Sequence, residues 1–227
     1  VGDHATYHVP LDAQLQSDIE TVARNVSPGF VRTSKSTAEL CRDAVDAVVA
    51  ARGLPGQVAT LILPADVSWG DGGTPCPPPP APTPSSADAV TVEAIAALLR
   101  GGGKTALLLG GHALREPALL AASRIAAKTG AKLLSEVFPT RLERGAGRPP
   151  IERIAYLAEL AGVQLAGLEH LILVDAKSPV SFFAYPGKVS DLVPAGCTVH
   201  TLSTSAQDAA ASLAALARAL DAEQTPV

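Results

Sequence analysis

The chain has no methionine, one tryptophan and only 4% aromatic residues, so its interior must be closed by aliphatic side chains and alanine rather than by stacked rings. The missing methionine also predicts that Val1 is not a translational start, and that processed or missing sequence precedes it. Charged residues make up 18%, below the roughly 25% usual for soluble domains, which points to helices packed tightly on a buried sheet. A net charge of -4 and a pI near 5.7 give no basic face for a phosphate backbone, so nucleic acid is set aside as a partner. The three cysteines, Cys41, Cys76 and Cys197, are odd in number and lack metal-cluster or redox spacing; they read as thiols of a reducing compartment. No run reaches the ~18 apolar residues of a membrane span, and the start lacks the regions of a signal peptide. The expectation is a cytoplasmic protein with no membrane partner.

What is present is a regular alternation of helix and strand patterns. Ser36-Thr37-Ala38-Glu39 is a capping box, and Leu40, Ala44, Ala47, Val48 and Ala51 then share one helical face until Gly53-Leu54-Pro55-Gly56 ends the run. Val58 to Leu63 is a continuous apolar run closed by Pro64, the pattern of a strand buried on both faces. From Asp71 to Ser86 glycine, proline and serine take over, with Pro77 to Pro80 consecutive, which predicts a semi-rigid spacer. Beyond it the spacing predicts a helix through Val92 and Leu99, a strand over 105–109, a helix over 117–128 stopped by Gly130 and a strand over 131–134. A helix near 151–161, strands over 171–174 and 198–202, and a helix from about 206 to 220 complete the pattern. The fold class is therefore α/β: a Rossmann-like doubly wound parallel sheet preceded by the C-terminal part of a second α/β domain.

In such a sheet ligands bind beyond the carboxyl ends of the strands, here Gly110-Gly111-His112, Ser135-Glu136-Val137 and Asp175-Ala176-Lys177. Gly110 and Gly111 sit between a strand and a helix, where their amides suit a bound phosphate or simply a tight turn; the full glycine fingerprint is absent. Asp175 is placed to accept from a ribose hydroxyl or to cap the following turn. Gly101-Gly102-Gly103-Lys104-Thr105 follows a helix and opens a strand, the reverse of a phosphate-binding loop, and reads as a helix-terminal turn. His4 and His8 are four apart, but nothing nearby favours a helix or supplies a third metal ligand, so no metal site is assigned; the alternatives are an active-site role and a solvated loop. No serine lies in a nucleophile elbow.

Particular residues also resemble a family. Val1 to His8, Ser17-Asp18-Ile19, Val26, Thr33-Ser34 and the strand ending Leu63-Pro64-Ala65-Asp66-Val67 resemble the second half of the pyrimidine-binding domain of thiamine-diphosphate enzymes, acetolactate synthase large subunits and benzoylformate decarboxylases in particular. Leu107 to Gly111, Ala121 to Lys132 and Leu171 to Asp175 are similar to that family's central domain. The resemblance implies residues 1–70 as the end of a pyrimidine domain, 71–88 as linker and 89–222 as central domain. It implies a full-length parent that uses thiamine diphosphate and Mg2+ on a 2-oxo acid, as a synthase (transferase) or a decarboxylase (lyase), and forms a homo-oligomer. The glutamate that activates the cofactor and the Gly-Asp-Gly motif with its asparagine would lie outside this chain, leaving it a non-catalytic middle that is inactive alone. His4 and His8 would face the thiazolium for acid-base work, and FAD, held by some synthases, stays open for the site at Gly110, Gly111 and Asp175. The competing readings are a free-standing nucleotide-binding Rossmann-like oxidoreductase and a scaffold domain.

Overall fold

The computed structural model describes residues 1–224, which divide into two compact units, Val1–Thr83 and the residues from Pro84 onward. Each is built by its own local rules.

In the first unit, β1 (Gly2–Asp3) leads through a short 3-10 turn at Val9–Leu11 to α1 (Ile19–Val26), β2 (Val31–Thr33), α2 (Thr37–Ala51), β3 (Thr60–Pro64) and α3 (Ala65–Trp69). The strands form a parallel sheet in the order β1-β3-β2, with Gly2 opposite Leu63 and Val31 opposite Thr60. Helix α1 starts because Asp18 accepts from the Thr21 amide at 3.0 Å and from its hydroxyl at 2.6 Å. Helix α2 starts at the expected cap, where Ser36 Oγ accepts from the Glu39 amide at 3.3 Å. Arg32 crosses from β2 to α2 and pairs with both Asp43 and Asp46. Residues 71–88 contain no helix or strand.

The second unit runs α4 (Ala89–Arg100), β4 (Thr105–Leu109), a 3-10 turn at Gly111–Leu114, α5 (Glu116–Thr129), β5 (Lys132–Ser135), β6 (Glu152–Arg153), α6 (Ala158–Leu165), β7 (His170–Val174), β8 (Thr198–Ser203) and α7 (Ala209–Ala219). All five strands are parallel in the order β6-β5-β4-β7-β8, so the chain winds outward from β4 in both directions and the fold is doubly wound. Alternate residues divide the interior between the two faces. Leu107, Leu109, Ile172 and Val174 pack with residues of α4, α5 and α7, whereas Ala106, Leu108, Leu171 and Leu173 pack with Ala161 and Leu165 of α6. Each fully buried Leu or Ile contributes roughly 1.5–3 kcal/mol of transfer free energy.

The start of this unit lies inside the proline-rich stretch. Ala87 is buried, its amide donates to Ser212 Oγ at 2.8 Å, and the Asp208 amide donates to the Ser85 carbonyl at 2.8 Å. Ser85 to Asp88 are thereby stitched to the N-terminus of α7. The helix expected over 151–161 is instead the edge strand β6, followed by α6 starting seven residues later. Glu152 and Arg153 pair instead with Leu134 and Ser135 of β5, and Gln164 fixes the turn by accepting from Ala155 N at 2.7 Å and donating to Glu152 at 2.6 Å.

Candidate functional site

The winding reverses between β4 and β7, and Gly110, Gly111 and Asp175 all lie at the carboxyl ends of these two strands. Gly110 N donates to Val174 O at 3.0 Å and Asp175 N to Ser203 O at 2.9 Å, so both loops leave the sheet side by side. Asp175 is buried and left-handed, with φ of 49°, a conformation that Asp tolerates better than most residues. Its Oδ2 accepts from the His112 amide at 2.7 Å, and His112 Nδ1 lies 3.6 Å away with its ring exposed. The carboxylate thus takes the position at the entry to the following helical turns that a ligand anion would occupy.

The missing side chains of the two glycines are used by the protein itself. A Cβ at Gly110 would collide with the Asp175 carbonyl and the Glu136 carboxylate, and a Cβ at Gly111, where φ is 40°, would collide with the Asp175 carboxylate. Burial first, and the Asp175 charge second, push the Glu136 carboxyl above its ordinary value, while the Lys177 amide and ammonium oppose this. Two carboxyl groups therefore line the notch that a dinucleotide pyrophosphate would need. The glycines make room for these carboxylates, whose charge opposes a bound phosphate, so the geometry lends no support to FAD at Gly110, Gly111 and Asp175. Sequence reasoning placed Glu136 in a loop at the sheet's edge but did not single it out; an acidic residue directly after a buried strand was the available signal.

The first unit has its own carboxyl edge. After β1 the chain turns sharply: His4 N donates to Asp3 Oδ1 at 2.7 Å, and His4 Nε2 donates to the Gln14 carbonyl at 3.0 Å. The His4 and His8 rings lie 5.3 Å apart at 55°, with His8 exposed at the start of the 3-10 turn. A cleft of about 420 Å³ is lined by Asp3, His4, Gln16, Asp18, Glu20 and Thr33, among others, but not by His8. The Thr21 hydroxyl first, and its amide second, hold the Asp18 carboxyl below the usual carboxylate value. Glu20 accepts from Thr33 Oγ1 at 2.7 Å and pairs with Arg24 at 2.7 Å.

The Pro64-Ala65-Asp66-Val67 ending has a structural explanation. Asp66, in the first turn of α3, accepts from the Thr6 amide at 2.9 Å and from the Thr6 hydroxyl, which ties the His4 loop to the end of β3. The hydroxyl first, and the amide second, lower the Asp66 carboxyl below its ordinary value. Asp66 was read from sequence as part of a family signature; only the fold shows what it holds.

The residues present do not fit a magnesium diphosphate. Gly70-Asp71-Gly72 follows helix α3 rather than a strand, and no helix begins again before Ala89. Among the described residues no three His, Cys, Asp or Glu side chains gather as metal ligands, and no helix is long and apolar enough to cross a membrane.

No protein-family model matches the chain. A Mycobacterium tuberculosis (strain ATCC 25618 / H37Rv) protein named "Putative acetolactate synthase large subunit IlvX" is 54% identical over 221 residues, covering 94% of this chain. The chain spans 41% of that relative's length. Among solved structures, a "putative thiamin diphosphate-dependent enzyme" from Mycobacterium smegmatis superposes over 99% of this chain and 46% of its own, with a TM-score of 0.76 at 16% identity. The thiamine diphosphate-dependent 4-hydroxybenzoylformate decarboxylase of Rhodococcus jostii RHA1 matches 99% of this chain and 45% of its own, with a TM-score of 0.76 at 14% identity. Along nearly its whole length the chain is therefore similar to part of a protein named as an acetolactate synthase large subunit, and it has the fold seen in solved thiamine-diphosphate-dependent enzymes.

Proposed function

We propose that the chain is the non-catalytic middle of an acetolactate-synthase-like enzyme acting on 2-oxo acids, comprising the end of its pyrimidine domain (1–70), a linker (71–88) and its central domain (89–222). The complete enzyme is a cytoplasmic homo-oligomer that holds thiamine diphosphate and Mg2+ through residues outside this chain, and the cofactor supplies carbanion stabilisation when bound. The single observation that carries this reading is the 54% identity to a relative more than twice as long. It favours the synthase over the benzoylformate-type decarboxylase, whose likeness at 14% identity is one of fold. Within this chain, His4 and His8 are the groups suited to acid-base work: His4 lines the cleft, and the His8 ring lies beside it at 5.3 Å.

The test is calorimetry of the 227-residue chain with thiamine diphosphate and Mg2+, together with pyruvate consumption by this chain and by the protein of the complete reading frame. The expected result is no binding tighter than about 1 mM and no turnover by the chain, with cofactor-dependent acetolactate formation by the complete protein. Turnover by the chain alone, or micromolar binding that requires Mg2+ and shifts the first unit's residues, would refute the non-catalytic assignment. Release of an aldehyde instead of acetolactate by the complete protein would make the enzyme a decarboxylase.

A further inference from the structure

The second unit contains an open cleft of about 590 Å³ that the catalytic reading does not use. It is lined by Arg141, Arg144, Arg153 and Tyr156, with Thr140 and Ile154 among the remaining residues, and no carboxylate lines it. This is a local inversion in a chain whose net charge is -4. Arg141 pairs with Glu143 at 3.2 Å, but neither Arg144 nor Arg153 forms an ion pair among the described residues.

The backbone that carries the cations is fastened by neighbours outside the cleft. Arg115 donates to the Arg141 carbonyl at 2.6 Å, Glu143 N donates to Leu114 O at 3.1 Å, and Glu143 Oε2 accepts from the Glu116 amide at 2.7 Å. Arg148 pairs with Glu116 at 2.8 Å. Four contacts thus fasten residues 141–148 to the start of α5. Arg153 is fixed separately, on β6, by its pairing with Ser135. Like charges fastened near one another repel, and an anion relieves that repulsion.

The cleft's aromatic wall is equally uneven. Tyr156 belongs to a cluster with Phe138, Phe182, Phe183 and Tyr185, whose successive ring centroids lie 4.6–6.1 Å apart. These are five of the chain's eight aromatic residues, and all five are exposed. Guanidinium groups form paired hydrogen bonds to phosphate oxygens, and an exposed ring offers a stacking face.

We propose that this cleft binds a phosphate ester, its oxyanion held by Arg144 and Arg153 and its planar apolar group stacked on Tyr156. The site lies entirely within the second unit and does not depend on the catalytic assignment.

The test is titration of the 15N-labelled protein at low ionic strength with inorganic pyrophosphate and, separately, with phenyl phosphate. Saturable shifts are expected in residues 139–156 for both. The Arg144→Ala/Arg153→Ala double variant should lose at least about tenfold in affinity for both, since each charged hydrogen bond removed has that order of effect. The double Lys variant, which keeps the charge and loses the fork, should fall between the two. Tyr156→Ala should weaken phenyl phosphate and leave pyrophosphate unchanged, and Arg24→Ala, in the first unit, should change neither. Absence of saturation at millimolar ligand, or equal loss in Arg24→Ala, would overturn the site. An unchanged phenyl phosphate affinity in Tyr156→Ala would overturn the stacking role.

Discussion

Replacing Gly111 by alanine tests whether the switch-point notch is an internal carboxylate site. Two costs apply. A non-glycine residue at φ of 40° pays the left-handed penalty of about 1–2 kcal/mol. The added Cβ also displaces the Asp175 carboxylate from the His112 amide, and a charged hydrogen bond lost from a buried group costs about 1.5–3 kcal/mol. The expected destabilisation of the second unit is the sum, about 2.5–5 kcal/mol. Gly130→Ala is the control: φ there is 77° and the space beside it is open, so it carries the backbone penalty alone. Urea unfolding followed by circular dichroism reads the difference, while the fluorescence of Trp69, the sole tryptophan, reports on the first unit. With a urea slope of about 1–3 kcal/mol/M, Gly111→Ala should unfold roughly 1 M earlier than Gly130→Ala. Equal midpoints for the two variants would show that Asp175 does not occupy the notch.

Glu136→Gln should stabilise the protein at neutral pH. A carboxyl whose folded value is raised contributes stability that is fully present below its ordinary value of 4.5 and is lost as pH rises through the raised one, so the variant's advantage should vanish in acid; thermal melts from pH 4 to 8 that ran parallel would contradict this. Ser212→Ala should cost about 1–3 kcal/mol by orphaning the Ala87 amide, with faster hydrogen exchange at Ala87; unchanged exchange there would mean that the stitch between Ser85–Asp88 and α7 does not hold.

The elements that depend on local chemistry were legible in the sequence. The apolar runs Thr105–Leu109 and Leu171–Val174 could only be strands buried on both faces, Ser36 could only begin a helix, and Gly130, with φ of 77°, ends one. Strand β1 and the edge strand β6 were not legible, because two residues carry no periodicity and their pairing is set by partners distant in sequence, Leu63 for Gly2 and Leu134 for Glu152. The same limit governs the sites. Sequence located Gly110, Gly111 and Asp175 at one sheet edge, since parallel winding puts every strand's carboxyl end on the same side. Whether the notch between them takes a phosphate or a carboxylate depended on the direction of the Asp175 side chain and the reach of Glu136, which are properties of neighbouring strands in register. His4 and His8 were adjacent on any reading, yet only the Asp66–Thr6 tether and the Gln14 carbonyl place His4 in the cleft. Arg144, Arg153 and Tyr156 lie in one stretch of chain, 144–156, but no helical or strand period marks them as one surface. The sequence by itself determined the elements and their parallel winding; the convergence of loops at the sheet's edge, decided by tertiary packing, determined which charges meet there.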